Sequence, residues 1–284
     1  MARRTRVLGF GGPRRNSSAF SVGGLGAALR TGGALMASPS DRPPLLLVHG
    51  AANSSRVWVF WRQALERRGW TTLALDLRGH GERAVPDLGA TRMADYAEDV
   101  VLAARTLPRP PVLLGWSMGG LVAMMAARVC AAVACVGLAP SAPTRTTDRA
   151  VPLRMGRFGP EVYGIMSADP DDQPAMSDLD VEERRIALAS LGPESQLARD
   201  ERTAGVTIDR LPCRLLIVTG TADTFWPRER YADLPVTAEH LVAEGASHWG
   251  LVLNRRALAT LIPAVLRWIE NAAARDRRTK RARG

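Results

Sequence analysis

From residue 44 onward, short apolar runs alternate along the chain with longer segments whose apolar positions recur every three to four residues. Short continuous apolar runs are typical of strands that are buried on both faces, and the periodic segments are typical of helices that pack on a sheet. The predicted strands cover residues 45–49, 71–75, 112–116, 133–139, 214–219 and 239–243. The predicted helices cover residues 58–68, 93–107, 118–130 and 256–274. This order predicts an α/β fold with a doubly wound, mainly parallel sheet of about six strands.

The interval between the fourth and fifth predicted strands breaks this alternation. It is rich in Pro, Asp and Arg, and its helix-like pieces are short: 161–166, 181–191 and 194–204. A connection of this length is too long for a plain loop. We therefore expect residues 141–206 to form a small helical lid over the strand ends, with residues 41–140 and 207–272 as the core. Four lid residues are candidates for its pocket-facing side, with packing against the core as the alternative for each: Phe158, Tyr163, Ile165 and Met166.

The net charge of +10 belongs to the two ends of the chain. Residues 1–38 hold six arginines and no acid, and residues 271–284 hold five arginines, one lysine and one aspartate, so the rest of the chain is close to neutral. We expect a disordered arm over residues 1–40, or a start assigned too early with Met36 as the true beginning, and a basic, disordered tail over 273–284. A near-neutral body predicts no nucleic-acid partner.

The three cysteines, Cys130, Cys135 and Cys213, lack metal-ligand spacing and are typical of buried free thiols in a reducing compartment. We therefore expect a cytoplasmic protein, with export or transit directed by the Arg-rich N-terminus as the alternative. No apolar run approaches the roughly 18 residues needed to span a bilayer, so no membrane partner is expected.

A sharp turn at Gly115-Trp116-Ser117-Met118-Gly119 joins the third predicted strand to the helix that follows it. This is the G-x-S-x-G nucleophile elbow, in which the glycines allow close backbone approach and the serine hydroxyl is exposed at the strand end. The backbone N–H groups of Met118 and of Ala51, which follows the first strand, are expected to form an oxyanion hole.

A serine nucleophile needs a base, and the chain has only four histidines. His248 lies in a loop between the last strand and the final helix, so it projects at the carboxyl edge of the sheet. His49 and His80 lie in glycine-containing turns and are interpreted as structural, and His240 has no special context. His248 is therefore the predicted base.

The acid that orients the base also has few candidates. Asp223 lies just past a strand end, after a glycine turn. Asp76 also follows a strand but precedes the nucleophile, and Asp148 is a reserve candidate at the lid entrance. The order serine, acid, histidine favours Asp223.

Together these motifs resemble those of α/β-hydrolases over about residues 44 to 270. The resemblance is carried by His49-Gly50-Ala51, Arg78-Gly79-His80-Gly81, the elbow, Asp223 and His248. It implies an α/β-hydrolase fold with the lid after the sixth family strand. The elbow is similar to that of pimeloyl-carrier methyl ester esterases, and the His-Gly-Ala start is similar to plant methylesterases and hydroxynitrile lyases. The lyases place a lysine beside the catalytic histidine, whereas here Trp249 follows His248.

The resemblance implies a serine hydrolase, most simply a carboxylesterase, that cleaves a small to medium hydrophobic ester through an acyl-enzyme on Ser117. This chemistry requires no metal and no organic cofactor. The predicted pocket residues are Ala52, Trp116, Tyr163, Phe225 and Trp249. Thioester hydrolysis, C–C bond hydrolysis and perhydrolysis on the same triad stay open, as does a non-catalytic ligand-binding protein. The expected partner is a small ester, and the motifs are compatible with a monomer or a homodimer.

Overall fold

A computed structural model of the chain describes the backbone of residues 42–283 and the side chains of residues 42–278. The arm predicted over residues 1–40 lies outside the described residues.

Six of the strands in this part of the chain form one parallel sheet in the order β2-β1-β3-β4-β7-β8. The described strands are β1 (Leu45–Val48), β2 (Thr72–Leu75), β3 (Val112–Trp116), β4 (Ala134–Leu138), β5 (Arg157–Phe158), β6 (Glu194–Ser195), β7 (Arg214–Gly220) and β8 (Glu239–Ala243). The predicted α/β class and the number of strands in the main sheet are confirmed.

The helices flank this sheet, and two of them lie within residues 141–206. They are α1 (Val59–Glu66), α2 (Met93–Arg105), α3 (Met118–Ala127), α4 (Val181–Ala189), α5 (Gln196–Ala204), α6 (Gly250–Leu253) and α7 (Arg255–Arg283). Single 3₁₀ turns occur at Ser55–Trp58, Leu88–Ala90, Pro160–Tyr163, Pro174–Met176 and Arg228–Tyr231. Helix α7 corrects the prediction of a disordered tail over residues 273–284, since its backbone is helical to Arg283. Ala, Arg and Lys are strong helix formers, so this basic segment can continue the helix before it.

The insertion, residues 141–206, contains α4 and α5 and a short antiparallel pair, β5 with β6, that the sequence pattern did not predict. Glu194 and Ser195 belong to β6, whereas the pattern placed a helix over 194–204. Ser195 ends the strand and caps α5, because its hydroxyl accepts a hydrogen bond from Ala198 N–H at 3.2 Å. A two-residue strand is too short to produce a detectable period.

The core lies on both faces of the main sheet because successive residues of a strand point to opposite sides. In β1, Leu45 and Leu47 pack on one face in a cluster that includes Trp61. Leu46 and Val48 pack on the other face, in the cluster that includes the buried side of α2 and α3. The site residues are thus held at the edge of a layered core.

The topology also fixes where a ligand can bind. Strand β1 lies between β2 and β3, so the chain moves away from β1 in one direction and returns on its other side. Ligands of open α/β sheets bind outside the carboxyl ends of the strands at such a switch point. The loops that begin at His49 and Ser117 meet at this position.

Candidate active site

Ser117 lies at the turn between β3 and α3 in a strained backbone conformation. Its φ is 55° and its ψ is −123°, a positive φ that is rare for a residue with a side chain. Three backbone hydrogen bonds hold the turn. Ser117 N–H donates to Leu138 C=O at 2.9 Å, and Ser117 C=O accepts from Gly120 N–H and from Ser141 N–H, both at 3.0 Å. The surrounding structure imposes the strain, which is common at functional sites.

The glycines of the elbow are required by close backbone contacts. A Cβ on Gly115 would overlap the backbone of Gly119, and a Cβ on Gly119 would overlap the backbone of Val48 and His49. A Cβ on Gly50 would lie 2.9 Å from the Trp116 ring. Strand β1, the elbow and α3 can therefore approach each other only with these residue types.

His248 and Asp223 form a buried pair in the loops after β8 and β7. His248 Nδ1 lies 2.8 Å from Asp223 Oδ2, and the two residues are 8% and 4% exposed. Asp223 Oδ1 accepts from the N–H groups of Phe225 at 2.8 Å and Trp226 at 3.0 Å. Burial alone would raise the pKa of Asp223, but the hydrogen bond and charge of His248 and these two N–H groups lower the pKa below its ordinary value. The carboxylate is thus ionised and fixed in orientation, so it can orient the imidazole.

Aromatic side chains surround His248. Its ring centroid lies 5.1 Å from that of Trp116 and 5.5 Å from that of Phe225. Trp116 Nε1–H donates to His248 C=O at 3.0 Å, and its ring lies 5.0 Å from that of Trp249. Trp116 is therefore both a wall residue and a support for the histidine loop.

Ser117 and His248 face the same cavity, which has a volume of about 420 Å³. Its lining residues come from the loops at the sheet edge and from the insertion: Ala51, Asn53, Trp116, Ser117, Ser141, Ala142, Pro160, Tyr163, Ile165, Leu191, Arg199, Arg202, Thr203, Phe225, Trp226, Arg230, His248 and Trp249. In the described part of the chain, no hydrogen bond joins Ser117 Oγ to His248. Such contacts are often long in ligand-free sites and shorten when substrate binds.

Four of the five predicted pocket residues line this cavity, and Ala52 does not. Trp116, Tyr163, Phe225 and Trp249 are wall residues. Ala52 is fully buried with a φ of 55°, and its N–H donates to Glu194 Oε2 at 3.0 Å. This hydrogen bond directs the Ala52 backbone toward the insertion, which corrects the prediction.

The other residues of the insertion that were predicted to face the pocket fall into two groups, those that line the cavity and those that do not. Ile165 lines the cavity. Phe158 and Met166 are not among the lining residues: the Phe158 ring contacts the Tyr163 ring edge-to-face, with centroids 5.7 Å apart, and Met166 is 80% exposed. Of the two predicted oxyanion donors, Ala51 lies in the cavity wall, and Met118 occupies the first position of α3 and is not among the lining residues.

The rejected catalytic candidates have other contacts. His49 Nδ1 donates to Gly50 C=O at 2.8 Å, and His49 Nε2 accepts from Leu77 N–H at 3.1 Å. Asp76 accepts from Ser55 N–H at 2.6 Å and from Glu82 N–H at 3.3 Å. Both residues therefore hold loops at the sheet edge.

A second histidine–carboxylate pair, which sequence reasoning missed, joins the core to the insertion. His80 Nε2 lies 3.3 Å from Glu194 Oε2, and neither side chain is exposed. Glu194 Oε1 accepts from Tyr96 Oη–H at 2.5 Å and from Ser195 N–H at 2.7 Å. Burial alone would raise the pKa of Glu194, but the charge and contact of His80 and the Tyr96 hydrogen bond lower the pKa to about 2. Burial alone would lower the pKa of His80, but Glu194 raises it above its ordinary value.

Sequence reasoning also missed three arginines in the cavity wall: Arg199, Arg202 and Arg230. Two of them, with Thr203, lie on α5 at the spacing of one helical face, which was the available signal. Within residues 42–278, no group of three or more His, Cys, Asp or Glu side chains could hold a metal ion. None of the described helices is long and apolar enough to cross a bilayer.

A family comparison decides the classification. Residues 45–261 match the model of the alpha/beta hydrolase family, and these residues make up more than half of the chain. The chain belongs to the alpha/beta hydrolase family. The family resemblance predicted from the elbow and the His-Gly-Ala start is confirmed.

The relatives of this alpha/beta hydrolase include several esterases. It is 45% identical to protein phosphatase methylesterase 1 of Mus musculus over 92 residues, which cover 31% of this chain and 24% of that protein. It is 32% identical to the pimeloyl-[acyl-carrier protein] methyl ester esterase of Aromatoleum aromaticum over 156 residues, 54% of this chain and 58% of that protein. The chain thus spans about a quarter of the first relative's length and just over half of the second's.

Solved structures share the fold. A methylesterase, MES16, from Arabidopsis is 16% identical with a TM-score of 0.59, over 78% of this chain and 98% of that one. Tomato methylketone synthase I is 18% identical with a TM-score of 0.60, over 80% of this chain and 99% of that one. Identities this low show the fold alone, whereas the esterases among the sequence relatives support ester hydrolysis in general terms.

Proposed function

We propose that this alpha/beta hydrolase is a serine carboxylesterase that works through an acyl-enzyme on Ser117. One observation carries the proposal. The strained Ser117 and the histidine of the 2.8 Å Asp223–His248 pair face one cavity. A nucleophile, a base and an acid that orients the base are the groups that acyl transfer by serine requires.

In the first half of the reaction, Ser117 Oγ attacks the ester carbonyl while His248 Nε2 accepts the hydroxyl proton. His248 then returns this proton to the alcohol as the C–O bond breaks, which leaves the acyl group on Ser117. In the second half, His248 removes a proton from water as the water oxygen attacks the acyl carbonyl. His248 then returns this proton to Ser117 Oγ as the acyl C–O bond breaks, so the acid product leaves and the Ser117 hydroxyl is restored. Asp223 stays ionised throughout and stabilises the imidazolium that forms twice.

The tetrahedral intermediates of both halves carry a negative oxygen. The backbone N–H groups of Ala51 and Met118 are the proposed donors to this oxygen, and the N-terminus of α3 adds a favourable dipole. Removing one such donor typically costs about 10²- to 10³-fold in kcat. The cavity of about 420 Å³ is matched to a small or medium acyl ester.

Covalent labelling provides the direct test. A fluorophosphonate probe is expected to add one adduct to the folded protein, and peptide mass spectrometry is expected to place it on Ser117. The Ser117→Ala protein should not be labelled and should lose hydrolysis of 4-nitrophenyl butyrate by about 10⁴-fold or more. A folded wild-type protein that is neither labelled nor active would contradict the proposal.

A parallel substrate panel separates ester hydrolysis from the other reactions of the same triad. The panel contains methyl esters, lactones, acyl thioesters and a β-diketone for C–C bond cleavage, each with the Ser117→Ala protein as the background. We expect the highest kcat/KM on oxygen esters. A higher kcat/KM on thioesters would reassign the protein as a thioesterase without changing the proposed nucleophile.

A further inference from the structure

The wall of the Ser117 cavity carries positive charge without a carboxylate. Arg199, Arg202 and Arg230 line it, and no Asp or Glu is among the lining residues of the described chain. Arg199 and Arg202 project from α5 and Arg230 from the turn after Asp223, so the three come from two different elements. The charge of Arg202 also interacts with the buried carboxylate of Glu194, which does not line the cavity.

The acids nearest these arginines in sequence have other partners. Asp200 accepts three hydrogen bonds from Arg154, from its backbone N–H and from its guanidinium, at 2.8 to 3.0 Å. Glu201 accepts from Arg92 Nε at 2.7 Å and from Met93 N–H at 2.8 Å. Helix α5 therefore directs its acids toward other parts of the chain and its arginines toward the cavity.

Aromatic contacts orient two of the guanidinium groups without using their N–H donors. Arg199 lies over the Phe158 ring at 5.5 Å from its centroid, and Arg230 lies over the Trp226 ring at 5.2 Å. Stacked guanidinium groups are weakly hydrated and keep their in-plane donors for an oxyanion. The guanidinium group of Arg202 is held differently, because its Nη2 donates to Tyr163 Oη at 2.9 Å.

Two buried polar atoms of the wall residues have no hydrogen-bond partner in the described chain. They are Arg202 Nε and Ser141 Oγ, and Ser141 is only 3% exposed. A buried donor without a partner is costly, and these atoms of the cavity wall are available to bind a polar group of a ligand. Arg202 Nε lies among the arginines of the wall, whereas Ser141 lies beside the nucleophile, because its N–H donates to Ser117 C=O at 3.0 Å.

We propose that the substrate is an ester that also carries an oxyanionic group, a carboxylate or a phosphate, which Arg199, Arg202 and Arg230 bind while Ser117 attacks the ester. The proposal rests on the proposed esterase function and narrows its substrate class. The aromatic walls contributed by Trp116, Phe225 and Trp249 enclose the ester end. The arginines select substrates whose charge is separated from the scissile carbonyl by a short chain.

Matched esters test this selection. Monomethyl adipate carries a carboxylate, the primary amide of the same half ester is its neutral isostere, and methyl 5-phosphonopentanoate replaces the carboxylate with a phosphonate. Release of acid is followed in a pH-stat. We expect kcat/KM for at least one charged ester to exceed that of the amide by about 10- to 100-fold, because each charge-assisted hydrogen bond favours the anion. The phosphonate arm distinguishes the two anion sources.

Three variants test which arginines produce the preference for charged over neutral esters. Arg199→Gln and Arg202→Gln are each expected to reduce the charged-to-neutral ratio of kcat/KM by about 5- to 50-fold, mainly through KM. Arg199→Gln keeps the test decisive if Arg202→Gln does not fold. The control is Arg185→Gln, an exposed arginine of α4 outside the cavity wall, which should leave the ratio unchanged.

Binding to the inactive protein separates failure of this inference from failure of the proposed function. The Ser117→Ala protein is titrated calorimetrically with monomethyl adipate, its amide and the phosphonate. Tighter binding of a charged ester with no hydrolysis by the wild type would contradict the esterase function and retain the anion site. Equal kcat/KM for the charged and neutral esters, or equal ratios in the Arg199→Gln protein and the wild type, would overturn the anion site.

Discussion

Two buried histidine–carboxylate pairs in this chain look alike locally but have different surroundings. His248 with Asp223 lies in the wall of a cavity beside Ser117. His80 with Glu194 lies between the core and the insertion, where both side chains are fully enclosed. Neither His80 nor Glu194 lines the cavity.

The difference shows what separates a catalytic pair from a structural one. A base must reach the proton that it transfers, so at least one imidazole nitrogen has to face the substrate. His80 cannot do so, because Nδ1 contacts Arg78 C=O at 3.0 Å and Nε2 faces Glu194. Burial and a carboxylate partner are common to both pairs, so access to the cavity is the informative property.

The largest expected effect comes from deleting the two imidazoles in turn. His248→Ala should lower kcat for a neutral ester by about 10⁴-fold or more, because the proposed base is lost. His80→Ala should keep kcat per folded molecule within about 10-fold and should mainly lower the free energy of unfolding. Steady-state kinetics and urea unfolding measure the two effects. A well-folded but inactive His80→Ala protein would contradict the distinction.

Replacing the proposed orienting acid should have the next largest effect. Asp223→Asn removes the charge that stabilises the His248 imidazolium, and we expect kcat to fall by about 10³- to 10⁴-fold. The matched control is Asp76→Asn, which changes a carboxylate that also follows a strand but accepts from the backbone N–H groups of Ser55 and Glu82 and does not line the cavity. If both variants lose activity equally while folded, the specific role of Asp223 is wrong.

Replacing a residue of the enclosed His80–Glu194 pair should lower the stability of the fold and leave catalysis nearly unchanged. Glu194→Gln leaves His80, Tyr96 and the Ala52 N–H without their charged partner, and we expect the free energy of unfolding to fall by about 3–5 kcal/mol. The control is Glu182→Gln, an exposed carboxylate 3.7 Å from Arg255, with an expected change below about 1 kcal/mol. Equal changes in urea unfolding would show that the enclosed pair has no special structural role.

The stability difference between wild type and Glu194→Gln should depend on pH. The pKa of Glu194 is lowered from 4.5 to about 2, so its contribution is fully present above pH 4.5 and is lost as the pH falls toward 2. The pKa of His80 is raised above 6.5, so its contribution is fully present below pH 6.5 and is lost as the pH rises through the raised value. The difference should therefore be greatest between pH 4.5 and 6.5. A flat profile would contradict an ionised pair.

The two pairs also differ in how far the sequence predicted them. Asp223 and His248 each follow a strand of the parallel sheet, and the carboxyl ends of such strands share one edge, so their proximity followed from the order of elements. The strands Val112–Trp116 and Glu239–Ala243 matched their predicted bounds because short apolar runs mark buried strands clearly. The motifs shared with α/β-hydrolases supplied the remaining evidence for assigning Asp223 as the acid and His248 as the base.

Glu194 could not be found in the same way. It belongs to a two-residue strand in the insertion, and its partners His80 and Tyr96 lie far away in the sequence. Its contacts depend on how the insertion packs on the core, which no local period encodes. The sequence spacing of Arg199 and Arg202 places both on one face of α5. Only the structure shows that this face lines the cavity instead of facing solvent.

The smallest expected effect concerns the support of the His248 loop. Trp116→Phe removes the hydrogen bond from Nε1 to His248 C=O, and we expect a loss of about 1–2 kcal/mol in unfolding free energy and a fall in kcat of less than about 10-fold. Trp58→Phe is the matched control, because Trp58 is also fully buried while its Nε1 has no hydrogen-bond partner in the described chain. Trp58→Phe removes ring packing but no hydrogen bond, so its losses in unfolding free energy and in kcat should be smaller than those of Trp116→Phe. Equal kcat values for the two variants would mean that the hydrogen bond from Trp116 does not position the proposed base, and that the Asp223 contact alone holds the imidazole in place.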